Sequence, residues 1–90
     1  MIPKILVNKN NCVIVRGLHL DGREILVLFS YETLVAWSFV DEPKVHRIWS
    51  GWSLTTGRHI NEFCRILRAP IPTKKEWESL PVEDDDEILV

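Results

Sequence analysis

Ninety residues, 46% of them apolar, suffice for one small domain that closes a hydrophobic core of its own. The formal net charge of -2 conceals an asymmetry: five of the 13 acids fall in Glu83-Asp84-Asp85-Asp86-Glu87, and the body before them is mildly basic. No apolar run approaches the roughly 20 residues that cross a bilayer, and Cys12 and Cys64 lie too far apart for a redox C-x-x-C pair or a zinc knuckle.

Residues 4–7 read as a short strand and Asn8-Lys9-Asn10-Asn11 as a turn. A secretory leader is not expected, because Met1-Ile2-Pro3-Lys4 runs into a four-residue strand rather than a long apolar region. Residues 12–20 form a second strand in which Gly17 reads as a bulge. Asp21-Gly22 between apolar runs is a hairpin signal, since both turn positions must tolerate positive φ. The third strand covers 23–30, and its apolar run from Ile25 to Phe29 requires cover on both faces.

A fourth strand over 33–40 alternates Leu34, Ala36, Ser38 and Val40 with Val35, Trp37 and Phe39, so both of its faces are largely apolar. One helix covers one such face. The other needs a loop, the C-terminal segment or a second copy, which gives a homodimer a physical motive. Asp41-Glu42-Pro43-Lys44 is a turn, and 45–49 a fifth strand.

The main helix is predicted over 57–68, with Ile60, Phe63, Cys64 and Leu67 as one apolar stripe at i, i+3, i+4 and i+7. Pro70 and Pro72 stop it. Thr73-Lys74-Lys75-Glu76 matches a capping box, predicting a short second helix over 73–80 that carries Trp77 and ends at Pro81. The fold class is therefore α+β: an antiparallel β-meander of four to five strands, with one main α-helix packed on one face and a short second helix. Residues 1–82 make the domain, and 83–90 a flexible acidic C-terminal tail, either a plain solvated end or a screen for the basic body against non-specific nucleic acid. Ile88-Leu89-Val90 interrupts that polar ending, as a segment that adds to a sheet edge or to a partner would.

Residues of several chemical kinds converge only in Ser53-Leu54-Thr55-Thr56-Gly57-Arg58-His59-Ile60-Asn61-Glu62-Phe63. A helix start exposes unpaired amides, of which Thr55 or Thr56 caps one or two. The others, with Arg58 and His59 in the first turn, could hold a phosphate or carboxylate. An ordinary cap beside a solvated arginine is the alternative, and no P-loop pattern follows. Arg58, Arg65 and Arg68 with Asn61 form a basic stripe suited to a phosphate backbone or an acidic surface, diluted by Glu62. Trp52, between Gly51 and Ser53, is the tryptophan expected to be exposed and to touch a ligand; the other aromatics are expected to pack the core.

Catalysis is not expected, and neither is a metal or a cofactor. His19, His46 and His59 lack metal-ligand spacing, Cys64 lies on the apolar stripe, and no carboxylates pair within an apolar cleft. Two lone cysteines in apolar surroundings fit a reducing cytoplasm.

Ser30-Tyr31-Glu32-Thr33-Leu34-Val35-Ala36 and the segment from Ser53 to Phe63 together resemble a group of small bacteriophage and prophage proteins. Their shared pattern is S-Y-x-T-x-V-A, a strand, then S-x-T-T-x-x-H-I-N, and the match spans residues 22–67. The group has no assigned activity, so the resemblance implies a phage setting in the cytoplasm of a bacterial host cell, and no mechanism. It marks Thr55, Thr56, His59 and Asn61, with Thr33 as a second cluster, either as ligand contacts or as a structural signature tying the helix to a neighbouring strand or loop. The functional expectation is a non-catalytic phage-type binding protein. It would act on a host protein or a nucleotide-like anionic ligand, as in inhibition of host defence. A nucleic-acid-binding accessory protein and a structural assembly protein are the alternatives, and no membrane partner is expected.

Overall fold

Positive backbone φ shows where the sheet turns. In the structure, a computed structural model that describes residues 4–90, Asn10 and Asn11 adopt φ 53° and 61°, Gly22 93°, and Tyr31 and Glu32 50° and 69°. The two-residue links Asn10-Asn11 and Tyr31-Glu32 need this conformation to match the strand twist, whereas the link after His19 runs over residues 20–23 and only Gly22 of the expected Asp21-Gly22 pair takes positive φ. Residues 1–3, read above as the lead-in to the first strand, lie outside the described residues.

The turns join β1 (Ile5–Lys9), β2 (Cys12–His19), β3 (Glu24–Ser30), β4 (Thr33–Phe39) and β5 (His46–Arg47) into an antiparallel meander in sequence order. The main helix α1 (Leu54–Leu67), a short α2 (Lys74–Ser79) and β6 (Ile88–Leu89) follow. The α+β meander expected from the sequence is the architecture observed. β6 returns to pair antiparallel with β2 at Leu18 and His19. It takes the stretch of β2 that β1 leaves free, because β1 pairing ends at Ile5 opposite Val15.

Gly17 lies at that changeover and is not a bulge, since β2 runs in unbroken register with β3 past it. A Cβ there would come within 2.5 Å of the Leu89 carbonyl oxygen, so the glycine admits a neighbouring backbone. The register shifts fall instead in β1, between Ile5 and Val7, and in β4. Leu28 pairs Ala36 but Phe29 pairs Leu34, which leaves Val35 without a partner in the register with β3. Val35 turns its carbonyl to the amides of Ile48 and Trp49, at 2.9 and 3.0 Å. The strict alternation read for this strand is thereby broken, and Val35 and Ala36 pack in the same cluster.

Both sheet faces are apolar and both are covered. On one face Cys12, Ile14, Leu26, Leu28, Val35 and Ala36 meet Ile60, Phe63, Cys64 and Leu67 of α1 and Trp77 of α2. On the other, Val15, Ile25, Val27, Trp37 and Phe39 pack together with Ile88 of β6. The C-terminal segment thus supplies the second cover from the same chain. The expectation of an acidic tail standing apart from the domain does not match this placement, for burial of Ile88 and strand pairing hold the segment on the sheet.

α1 begins three residues earlier than the spacing predicts. Ser53 is its N-cap and its hydroxyl accepts the Thr56 amide at 3.0 Å. At the other end Arg68 takes a left-handed conformation, and its amide returns to carbonyls of the last turn. α2 has the capping box that its sequence announces, with Thr73 and Glu76 bonded reciprocally. No helix among the described residues is long and apolar enough to cross a membrane.

One polar lock ties α2 and the preceding loop to the sheet. The buried Arg47 guanidinium donates to the carbonyls of Trp49, Ser50, Glu78 and Leu80. Trp77, fully buried beside it, donates its indole N–H to the Gly51 carbonyl at 2.8 Å. A buried cation needs such a set of acceptors, and four carbonyl dipoles supply it here without a carboxylate.

Candidate functional site

The hinge between sheet and helix is a buried polar cluster. Ser30, the last residue of β3, points its hydroxyl at α1, where it lies 2.7 Å from His59 Nδ1 and 3.2 Å from Thr56 Oγ1. All three residues are buried. With Ser53 as the cap, Thr56 joins the helix and falls one turn before His59 on the face toward the sheet. The hydroxyl between them satisfies both groups, as buried polar atoms require.

In front of this cluster opens a pocket of about 270 Å³, lined by Ser30, Tyr31, Thr33, Val35, Trp49, Ser53 and Thr56. Four lining residues come from the first sequence motif and two from the second, so the fold brings together segments more than 15 positions apart. The lining combines five hydroxyl-bearing residues, Tyr31 among them, with the Trp49 ring and Val35, and holds no cation. Its volume lies just under the roughly 300–1,000 Å³ of sites that enclose a whole small molecule. The space suits one ring or one side chain.

Tyr31 is the exposed member. Its ring lies 5.9 Å from that of His59, and more than half of the residue faces solvent. Its backbone is strained, because Tyr31 and Glu32 both occupy the left-handed region that the β1–β2 turn gives to asparagines. A bulky residue held there costs on the order of 1–3 kcal/mol, and such outliers concentrate at functional sites.

The helix start read as an anion site at residues 55–59 is partly taken up by its own cap. The Thr56 amide is taken by Ser53 Oγ and the Gly57 amide by the Ser53 carbonyl at 2.8 Å. Thr56 and His59 turn inward, while Arg58 stays exposed on the outer face. Trp52 is not a free ring either. It packs against the helix-side core and lies over Gly57, where a Cβ would meet its ring carbons at 2.7 and 2.9 Å. Thr55 and Asn61 are half-buried on α1 and line none of the hollows described here. Arg65 and Arg68 are exposed, and Arg65 lies 3.6 Å from Glu62.

Neither thiol is activated. Burial pushes Cys64 up to about 11, and burial with the nearby Glu62 charge raises Cys12 above its ordinary value. Among the described residues no group of three or more His, Cys, Asp or Glu side chains is arranged to hold a metal ion. Another hollow, of about 440 Å³, lies between Glu42–Val45 and Pro70–Pro72. Its lining is proline and aliphatic with three charged residues, Glu42, Lys44 and Glu76.

Sequence reasoning singled out Thr33, Thr56 and His59, assigned Tyr31 and Trp49 to core packing, and passed over Ser30 and Ser53 as site residues. One signal was available: Tyr31-Glu32 links two strands without the Gly or Asn that such a link ordinarily takes.

The chain belongs to DUF8033, a family of unknown function, whose family model matches residues 2–79. The match extends beyond the 22–67 span of the phage resemblance at both ends, and it takes in the first strand, α2 and every residue of the pocket. It stops short of the acidic run and β6. No curated protein and no solved structure matches the chain.

Proposed function

We propose that this chain is a non-catalytic binding protein of bacteriophage type that engages a host factor through the pocket in front of Ser30. The observation that carries this reading is the convergence of both sequence motifs on that pocket, with Tyr31 held at its mouth by a strained turn. The Ser30 and Thr56 hydroxyls and His59 Nδ1 already bond one another, which suits a rigid wall better than a nucleophile and its base. A lining of hydroxyls and rings without a cation favours an uncharged group, and the volume favours a single side chain presented by a host protein over an entire nucleotide. The bacteriophage setting rests on the S-Y-x-T-x-V-A and S-x-T-T-x-x-H-I-N resemblance, and interference with host defence is the role that such a setting suggests.

The test is capture from lysate of a bacterial host with the tagged chain and its Tyr31→Ala and Thr33→Arg variants, each checked by circular dichroism for retained fold. The expected result is a host protein retained by the wild type and lost by both variants. Retention unchanged in both would sink the pocket. The exposed Arg58, Arg65 and Arg68 support the nucleic-acid alternative. It predicts binding that falls steeply with added salt and is lost on replacing those arginines rather than Tyr31.

A further inference from the structure

The sheet face away from α1 has the construction of a peptide-binding surface, and the chain's own end lies in it. Val82 bridges to Arg47, and the Glu83 amide donates to the Arg47 carbonyl at 2.8 Å. Farther on, the Leu20 amide donates to the Glu87 carbonyl at 2.8 Å, and Ile88 and Leu89 pair with His19 and Leu18. Two carboxylates meet two imidazoles: Glu83 Oε2 lies 3.0 Å from His46 Nδ1, and Glu87 Oε2 lies 3.1 Å from His19 Nε2. Ile88 is the apolar plug, buried among Val15, Ile25, Val27, Trp37 and Phe39. His46 is stacked on Trp37 at 4.0 Å, and His19 lies 5.0 Å from Phe39. Added strand, buried aliphatic anchor and flanking charge are the parts of recognition by strand addition.

The fit is incomplete where a better occupant would show it. Trp37 is 5% exposed, and its indole N–H has no hydrogen-bond partner among the described residues. Trp37 lines a hollow of about 300 Å³ together with Val82, Glu83, Asp84, Glu87 and Ile88. The segment is also lightly held: β6 is two residues long, and Leu89 and Val90 stay about half exposed. The family match ends at residue 79, so the occupant lies outside the shared domain, while His19, Trp37, Phe39 and His46 lie inside it.

We propose that this face is a docking surface for an extended acidic segment of a partner protein, and that residues 82–90 hold it in cis as an exchangeable placeholder. A tethered occupant acts at an effective concentration of order mM, so an outside segment binds in proportion to the fraction of chains whose own segment has lifted. The partner segment carries an aliphatic residue for the Ile88 site, carboxylates for His19 and His46, and an acceptor for the Trp37 N–H.

The probe is a fluorescein-labelled peptide of residues 82–90, added in trans to the full chain and followed by anisotropy. Ile88→Ala and the double variant Glu83→Gln, Glu87→Gln loosen the tethered segment, and each is expected to bind the peptide about tenfold more tightly than wild type. The double variant changes only side chains at the surface and half-buried positions, so it keeps the test decisive if Ile88→Ala unfolds. Gly17→Ala places a methyl against the Leu89 carbonyl, and is expected to abolish peptide binding while far-UV circular dichroism shows the fold intact. Equal peptide affinity in wild type and the double variant overturns the proposal. So does undiminished binding to Gly17→Ala, or a dimer by light scattering that the peptide dissociates, which would assign the face to exchange between copies. The pocket around Ser30 is untouched by these variants, and Tyr31→Ala is expected to leave peptide affinity unchanged, which separates the two sites.

Discussion

Gly57→Ala sets two physical effects against each other at the start of α1. In an exposed helix interior, replacing Gly by Ala stabilises by about 0.8–1.0 kcal/mol, because glycine loses the most backbone freedom on folding. At Gly57 the added methyl would lie 2.7 and 2.9 Å from ring carbons of Trp52, closer than carbon atoms approach. The indole must then move, and it is half-buried against the helix-side core and 6.4 Å from Trp77. Overpacking of this kind costs about 1–3 kcal/mol. The tertiary effect is the larger, so the variant is expected to lose about 1 kcal/mol net, which lowers Tm by about 4–8 °C in a domain of this size. In a Trp52→Ala background the obstacle is gone and the same substitution should gain up to about 1 kcal/mol. Urea unfolding followed by far-UV circular dichroism on the four proteins measures the coupling, expected at about 2 kcal/mol. A rise in stability on Gly57→Ala in the wild type would show that the indole does not lie over the glycine, and the account of Trp52 would fall.

Ser30→Ala removes a hydroxyl that serves both His59 and Thr56, and leaving those buried groups unpaired should cost about 2–4 kcal/mol in urea unfolding; a loss below about 0.5 kcal/mol would show that the cluster does not hold helix to sheet. Tyr31→Asn should relieve the turn and raise stability by about 1 kcal/mol while abolishing host-factor binding, and a destabilised variant would refute the strain. Arg47→Met leaves four carbonyls without their donor and should cost about 3 kcal/mol or more in the same assay, whereas a neutral result would show that water serves them as well. Cys64 is raised by burial from 9.0 to about 11, so the folded state keeps a proton that the unfolded chain gives up. Stability from this group is complete below pH 9 and is lost as pH rises toward 11, and the decline should be shallower in Cys64→Ala; parallel profiles would refute the assignment.

Local chemistry was enough for those elements whose signals lie within a few residues of one another. The Asp21-Gly22 hairpin, the Thr73-Glu76 capping box and the stripe of Ile60, Phe63, Cys64 and Leu67 each depend on backbone conformation or on one helical repeat. The apolar runs of β3 and β4 likewise demand cover on two faces by their residue types alone, since Ile, Val and Phe side chains left in water gain nothing from folding. What covers the second face, and which residues meet at the site, depends on contacts between distant parts of the chain. A bulge at Val35 cancels the two-residue alternation, and a cap at Ser53 rather than at the threonines brings Thr56 into the helix beside His59, where both meet Ser30. Glu83 and Glu87 read as solvent-loving until His46 and His19 are brought beside them, and Arg47 reads as a surface cation until four carbonyls converge on it. A single sequence specifies the propensity of each segment, but a one-residue change of register reverses which side of a strand is buried. The packing of the two apolar faces decides that register, and only the tertiary structure holds both faces at once.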